Sequence, residues 1–285
     1  MNETYIKRMF NFTRSPEIDF ALVDVSQKAQ ILAGRLSISG VQPKLSVKLD
    51  RNSGILIVVD KDGEYILKPQ TSAFPNIPEN EKCCMDIAEA LDIEVPPHCL
   101  LTLKDKSLAY VVKRFDRNKK DKIHQEDFAQ ILGNDKYNGS VEQVAKKLKE
   151  ISSAPGYDVQ LFFERVVLNF ILGNGDAHLK NYSVSYKEDG IRLSPAYDIV
   201  CSKLVIPNEE DSALTINGKK NKLSLDDFNS LAERLSIPEK IRYQKFDSKF
   251  DLISKLIDKS AIEKNKQKQF LEVISHRISV LKLNP

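Results

Sequence analysis

Three polar residues in the second half of the chain stand where they could support phosphoryl transfer. Asp176 and Asn181 lie in the stretch GNGDAHLKN, residues 173–181, and Asp198 lies in SPAYDIVCS. The first two have the D-x-x-x-x-N spacing of kinase-type catalytic loops, in which the aspartate accepts the proton of the acceptor hydroxyl and the asparagine holds a metal ion. Mg²⁺ is a hard cation that takes oxygen ligands and bridges β- and γ-phosphate oxygens while charge develops, so Asp198 and Asn181 would supply two of its ligands. The plain alternative is a loop of turn formers, since Asn, Gly and Asp all favour chain reversals, with Asp198 a turn or cap residue. Within the same loop His178 either neighbours the nucleotide or orders the loop by hydrogen bonding. Lys180 either neutralises charge on a transferred phosphoryl group or is a solvated lysine.

Phosphate must also be held. SISGVQPK, residues 37–44, precedes an apolar run and is the natural candidate for a phosphate-covering loop, because Gly40 lets backbone N–H groups approach an anion. Neither GxGxxG nor GxxxxGK[ST] occurs, and out of context the stretch reads as a hydroxyl-rich turn. Lys68 ends the run EYILK, where an ammonium could pair with α- and β-phosphates or simply snorkel to the surface. The segment after it carries Glu79, Glu81 and Glu89 as candidate partners for that lysine, and Glu81 is the one expected to meet it.

The elements that would position these residues differ between the two halves. LSVKL, GILIVVD and EYILK, then residues 99–103 and 108–112, are short apolar runs with turn punctuation, which predict an antiparallel sheet interrupted by one helix over 79–91. From His124 onward the period changes to about 3.6. Ser140 and Gln143 form a capping-box pattern ahead of Val141, Val144, Ala145, Leu148 and Ile151. Asp158 is expected to cap the next helix, which is apolar on nearly every face and therefore buried, with Gly173 at its carboxyl end. Short strands over 182–186 and 190–193 follow, then a helix opened by Ser224 and Asp227 and amphipathic segments over 250–256 and 270–281. The expected class is α+β, with a boundary where hydrophobic strands give way to charge near residues 115–122.

Composition narrows the partners. Forty-three basic and 40 acidic residues leave a formal charge of +3 with no long like-charged block, so direct nucleic-acid binding is not expected. No window approaches about 18 uninterrupted apolar residues and the amino-terminal segment lacks a signal-peptide core, so a cytoplasmic protein with no membrane association is expected. Cys83, Cys84, Cys99 and Cys201 form no CxxC pair and read as reduced, structural thiols.

Taken in order, SISGVQPKLSV, YILKP, PENE, VVKRFDR, HQEDFAQILG, GNGDAHLKN, SPAYDIV and LTINGKK resemble the motif set of HipA-like kinases over roughly residues 30–230. The resemblance implies a two-lobed protein-kinase-like fold related to phosphatidylinositol kinases, with a β-rich N-lobe over 1–116 and a helical C-lobe over 117–285. It implies a serine/threonine protein kinase acting as the toxin of a toxin–antitoxin system, with ATP and Mg²⁺ required and an aminoacyl-tRNA synthetase, tryptophanyl or glutamyl, as substrate. Asp176 is then the catalytic aspartate and Asn181 and Asp198 the metal ligands. Ser39, Gly40, Val41, Gln42, Lys44, Lys68, Lys113, Phe115, Asp116, His178 and Lys180 surround the nucleotide, with the backbone over 113–115 against adenine. Ser37 and Ser39 match an inhibitory autophosphorylation site, where added phosphate charge would oppose ATP binding. Because the phosphate loop begins about forty residues into the chain, the resemblance is to the short form, HipT. Its expected partners are a HipS-like small inhibitor and a HipB-like DNA-binding antitoxin. Two other classes fit the residues less fully, a small-molecule phosphotransferase and a nucleotide-binding regulatory scaffold.

Overall fold

The computed structural model describes residues 3–25, 42–118 and 121–284. Two compact units are formed, one from Met1–Lys82 and Pro96–Arg117, the other from Cys83–Val95 and Asn118–Pro285.

In the first unit, short segments rich in β-branched residues and leucine alternate their side chains between two faces of a sheet. Strands β1 (Leu45–Asp50), β2 (Ile55–Val58), β3 (Tyr65–Pro69), β4 (His98–Thr102) and β5 (Leu108–Lys113) pair antiparallel in the order β2-β1-β3-β5-β4. The register sets Leu45 beside Leu67, Leu67 beside Val111 and Val111 beside Cys99, so one apolar row crosses the sheet. Helix α1 (Glu3–Phe10) joins that core through Ile6, Met9 and Phe10. No helix is expected there from sequence, because eight residues are too few for a periodic pattern to stand out. Tyr65 Oη donates to Met9 O at 3.2 Å, and Tyr5 Oη donates to His98 O at 2.6 Å, which ties the helix to the sheet. Since side chains alternate along a strand, Lys68 lies on the face opposite Leu67, and it is buried there too. Helix α2 (Ile77–Ala90) contributes residues to both units.

The second unit is mainly helical, with α3 (Phe128–Leu132), α4 (Val141–Ile151), α5 (Pro155–Leu172), α6 (Leu225–Arg234), α7 (Phe250–Lys259) and α8 (Lys264–Val280). It also holds a sheet of three antiparallel strands, β6 (His124–Asp127), β7 (Ser183–Lys187) and β8 (Gly190–Leu193). The shift to a helical period expected at His124 begins instead at Phe128. HQED is a polar strand held by its pairing to β7, with no apolar alternation to reveal it. Asp127 then caps α3, accepting from Gln130 N at 2.9 Å while Gln130 Oε1 accepts from Asp127 N at 3.0 Å. The Ser140–Gln143 box is formed as expected, with reciprocal bonds of 3.1 and 3.0 Å. Helix α5 is buried along most of its length and ends at Gly173, whose φ of +68° and close approach to Val273 both exclude a side chain.

Asp158 does not cap α5. The helix starts at Pro155 with Ala154 as its cap residue, proline being suited to a first helical position. Asp158 sits one turn in, buried, where it accepts from Ser152 Oγ at 2.6 Å, Leu193 N at 3.0 Å and Arg192 Nη2 at 2.9 Å. Burial would raise its pKa, but the Arg192 guanidinium and the other two donors outweigh that and hold it below the usual carboxylate range. The pair thereby fastens α5 to β8. Asp158→Ala should lower unfolding free energy by about 3 kcal/mol in a urea titration, the lower part of the range for breaking a buried pair, since Arg192 keeps some exposure to water. With a depressed folded-state pKa, the wild-type contribution is present above the unfolded carboxylate value and is lost as pH falls through the folded one. The gap between wild type and variant should therefore close in acid.

Candidate active site

In the first unit, the strand and helix that follow one another place Lys68 and Glu81 side by side. Lys68 Nζ is 2.5 Å from Glu81 Oε1, with side chains only 5% and 2% exposed. Lys68 Nζ also lies 5.5 Å from the centroid of the Tyr110 ring, its neighbour across the sheet. Two long side chains fixed in a buried pair give a single, well-placed cation. Gln42 reaches the same strand, its Nε2 donating to Pro69 O at 3.0 Å, and Lys44 stands exposed just before β1. Lys113 closes β5, with its N–H on Pro97 O at 2.8 Å, and Phe115 follows half-buried. The Asp116 carboxylate is held bidentately by Arg114, at 2.9 and 2.7 Å, and by Arg117 at 2.6 Å. Burial acts to raise its pKa and the two guanidiniums more than offset that, leaving it lowered. Ser37, Ser39, Gly40 and Val41 lie outside the described residues.

In the second unit, the loop after α5 is built by its own polar residues. Buried Asn174 donates through Nδ2 to Asn169 Oδ1 at 2.8 Å, and its own Oδ1 accepts from Asp176 N at 3.3 Å. Asp176 O and Asn181 Oδ1 both accept from His178 N, at 2.8 and 3.1 Å. Four positions of the loop are thus tied to one another and, through Asn169, to the end of α5. Lys180 is exposed, and its carbonyl accepts from Tyr197 Oη at 2.9 Å, which links the loop to the segment bearing Asp198. Asp198 adopts φ +55°, a left-handed conformation that aspartate tolerates better than most residues.

Asn181 and Asp198 line one small cavity of about 10 Å³, together with Arg165, Asn169, Asn174 and Tyr197. That volume suits a water or a small ion, and the two ligand candidates present oxygen, the donor type Mg²⁺ requires. The residues therefore fit the metal that the sequence implies. Arg165 on the same wall is committed to Ser194 O at 2.5 Å, and burial lowers its pKa to about 10.

Several residues that sequence reasoning did not single out complete the loop. Tyr137 Oη donates to Asp176 Oδ1 at 2.8 Å, and its ring meets His178 edge-on at 5.2 Å between centroids. Burial of the hydroxyl, then its bond to Asp176, push the phenol up to about 12. Burial likewise lowers the His178 pKa against the opposing pull of Asp176, favouring a neutral ring. Behind the loop, Gly175 N donates to Ser202 Oγ at 2.8 Å, and that hydroxyl donates to Glu209 Oε2. Burial raises the Glu209 pKa. A Cβ on Gly175 would come within 2.5 Å of Glu209 Oε2, so only glycine fits under this brace. Tyr137 and Glu209 lie too far from Asp176 in sequence for a motif to register them.

Comparison with known proteins places the chain in a family. Residues 36–270 match the HipA-like C-terminal domain, and the chain belongs to that family. The putative kinase Y4dM of Sinorhizobium fredii is 34% identical over 248 residues, covering 79% of this chain and 59% of the relative. A putative kinase of Haemophilus influenzae is 30% identical over 288 residues, covering 90% of this chain and 80% of the relative. Among solved structures, HipA of Shewanella oneidensis, seen in complex with HipB and operator DNA of a toxin–antitoxin system, aligns with a TM-score of 0.73 at 19% identity. That alignment covers 87% of this chain and 66% of HipA. The fold is the HipA-like kinase fold, with mixed sheet and helix content. No helix among the described residues is long and apolar enough to cross a membrane.

Proposed function

We propose that the chain is an ATP-dependent serine/threonine protein kinase that acts as the toxin of a toxin–antitoxin system. The observation that carries this reading is the buried Lys68–Glu81 ion pair between β3 and the following helix, the arrangement protein kinases use to hold ATP phosphates. In the mechanism it supports, Lys68 pairs with the phosphates and Gln42, Lys44, Lys113, Phe115 and Asp116 belong to the nucleotide's surroundings. Asn181 and Asp198 hold Mg²⁺, which when bound offsets charge developing on the phosphate oxygens. Asp176 accepts the proton of a serine or threonine hydroxyl as that oxygen bonds to the γ-phosphorus and ADP departs. His178 and Lys180 shape the loop around the transferred group.

The lobes would be residues 1–116 and 117–285, in the manner of the short form HipT, and the setting cytoplasmic. An aminoacyl-tRNA synthetase is the proposed substrate, and a HipB-like antitoxin and a HipS-like inhibitor are the proposed partners. HipA of Shewanella oneidensis, one of the solved structures that align with the chain, is itself seen with HipB and DNA. Ser37 and Ser39 are the proposed autophosphorylation sites, where roughly two negative charges each would repel the triphosphate.

Phosphatase-treated protein incubated with ATP and Mg²⁺ should gain one or two phosphates by intact mass, mapped to Ser37 or Ser39. The gain should disappear in the Ser37→Ala, Ser39→Ala double variant and on chelation of the metal. A wild-type chain that binds ATP yet gains no phosphate and phosphorylates aminoglycosides or sugars would move the assignment to a small-molecule phosphotransferase.

A further inference from the structure

The candidate base is tied down at its backbone, but a carboxylate can still rotate about its own side-chain bonds, and proton acceptance depends on where its oxygens point. One side chain addresses that rotation. Tyr137 Oη donates to Asp176 Oδ1 at 2.8 Å, from a position 39 residues earlier in the chain. With Asp176 in the role given above, we infer that Tyr137 is a positioning residue for the phosphoryl-transfer step, its hydroxyl setting the Asp176 carboxylate so that the acceptor hydroxyl meets a fixed lone pair.

Tyr137 can do this only if it is itself fixed, and it is held on three sides although 47% of its surface is exposed. Its ring lies edge-on to His178, at 78° between planes. Lys136 Nζ stands 4.5 Å from the ring centroid, a cation on the π face. The backbone is bound to the loop it serves, since Leu179 N donates to Lys136 O at 3.0 Å, and Asn138 N closes a turn on Asp135 O at 2.9 Å. The tyrosine is thus a built-in extension of the 173–181 loop.

The chemistry of the contact also suits positioning. A phenol pushed up to about 12 keeps its proton throughout the working range, so it remains a donor to the Asp176 carboxylate. An ionised carboxylate has about four lone-pair sites, and one bond from Tyr137 leaves room for the acceptor hydroxyl. The phenol need not leave when substrate arrives. Since the hydroxyl acts on the reaction through Asp176 and not on ATP, its removal should affect maximum rate and spare nucleotide affinity.

The test uses the full chain and γ-labelled ATP, following label incorporated into the protein as ATP concentration is varied, for wild type, Tyr137→Phe, Tyr137→Leu and Asp176→Ala. Tyr137→Phe should lower the maximum rate about tenfold with the half-saturating ATP concentration and the thermal midpoint unchanged. Tyr137→Leu should lose no more in rate than Tyr137→Phe, because the hydroxyl and not the ring carries the effect. A maximum rate in Tyr137→Phe within twofold of wild type, while Asp176→Ala is silent, would overturn this inference and leave the kinase reading intact. So would a loss accompanied by a lower thermal midpoint or weaker ATP saturation, which would make Tyr137 merely structural. Phosphate mapped to Tyr137 itself would overturn it differently, by making the phenol an acceptor. A wild-type chain that takes up no label would remove both this inference and the function it rests on.

Discussion

Asp176→Ala should abolish label transfer from γ-labelled ATP, lowering the rate by about 10² to 10⁴, the range a positioned general base contributes. Binding of ATP should persist, because the nucleotide is assigned to Lys68 and its neighbours in the other unit. Asp176 is half-buried, and its carboxylate accepts from the partly exposed Tyr137 hydroxyl, so the variant should fold with a thermal midpoint close to wild type. Its backbone bonds to Asn174 and His178 survive the substitution, since they use the Asp176 main chain. The measurement is a pair of readings on one preparation, label incorporation and equilibrium ATP binding. Undiminished transfer in the variant would remove Asp176 from the reaction and leave its conspicuous loop as a structural turn.

Sequence made the candidate loop legible because the chemistry it would do requires particular residue types close together. Asp176, Asn181 and Asp198 lie within a short span, and the cavity that Asn181 and Asp198 line forms from residues that the chain delivers in order. Partners delivered from elsewhere were not legible. Nothing about Tyr137 in the turn-like stretch DKYNG distinguishes it from an ordinary exposed tyrosine, and Glu209 sits in a polar segment that reads as surface. Glu81, the one of three glutamates in its segment expected to meet Lys68, is the one that does, because the phase of the helix starting at Ile77 turns it toward the lysine. For the fold, strands that alternate apolar and polar residues stood out, as did the Ser140 cap and the Gly173 stop. The strand HQED did not, because pairing to β7 and not amphipathicity makes it a strand. Asp158 misled for a related reason. An acidic residue near a helix start suggests a cap, yet here a long-range arginine from β8 claims it, and Pro155 marks the true start.

Lys68 presents the second large effect, and it differs from the first in kind. Lys68→Ala should reduce transfer by at least about 10², since a cation that pairs with phosphates is lost where charge develops. It should also cost stability, because the Glu81 carboxylate, 2% exposed, would remain in the interior without its ammonium. Removing one partner of a buried pair typically costs about 3–5 kcal/mol, so a clear drop in thermal midpoint should accompany the loss of activity. Glu81→Gln provides the separation. Glutamine keeps the volume and can still accept a hydrogen bond from Lys68, so the penalty for a stranded charge is reduced while the lysine loses its electrostatic anchor. That variant should retain most of its stability yet saturate with ATP at higher concentration. Lys68→Ala and Glu81→Gln would then fail for different physical reasons, the first for want of a charge and the second for want of its placement. If both variants instead transferred phosphate at wild-type rate, the buried pair would be a fold element alone, and the phosphate-binding cation would have to be sought elsewhere in the first unit.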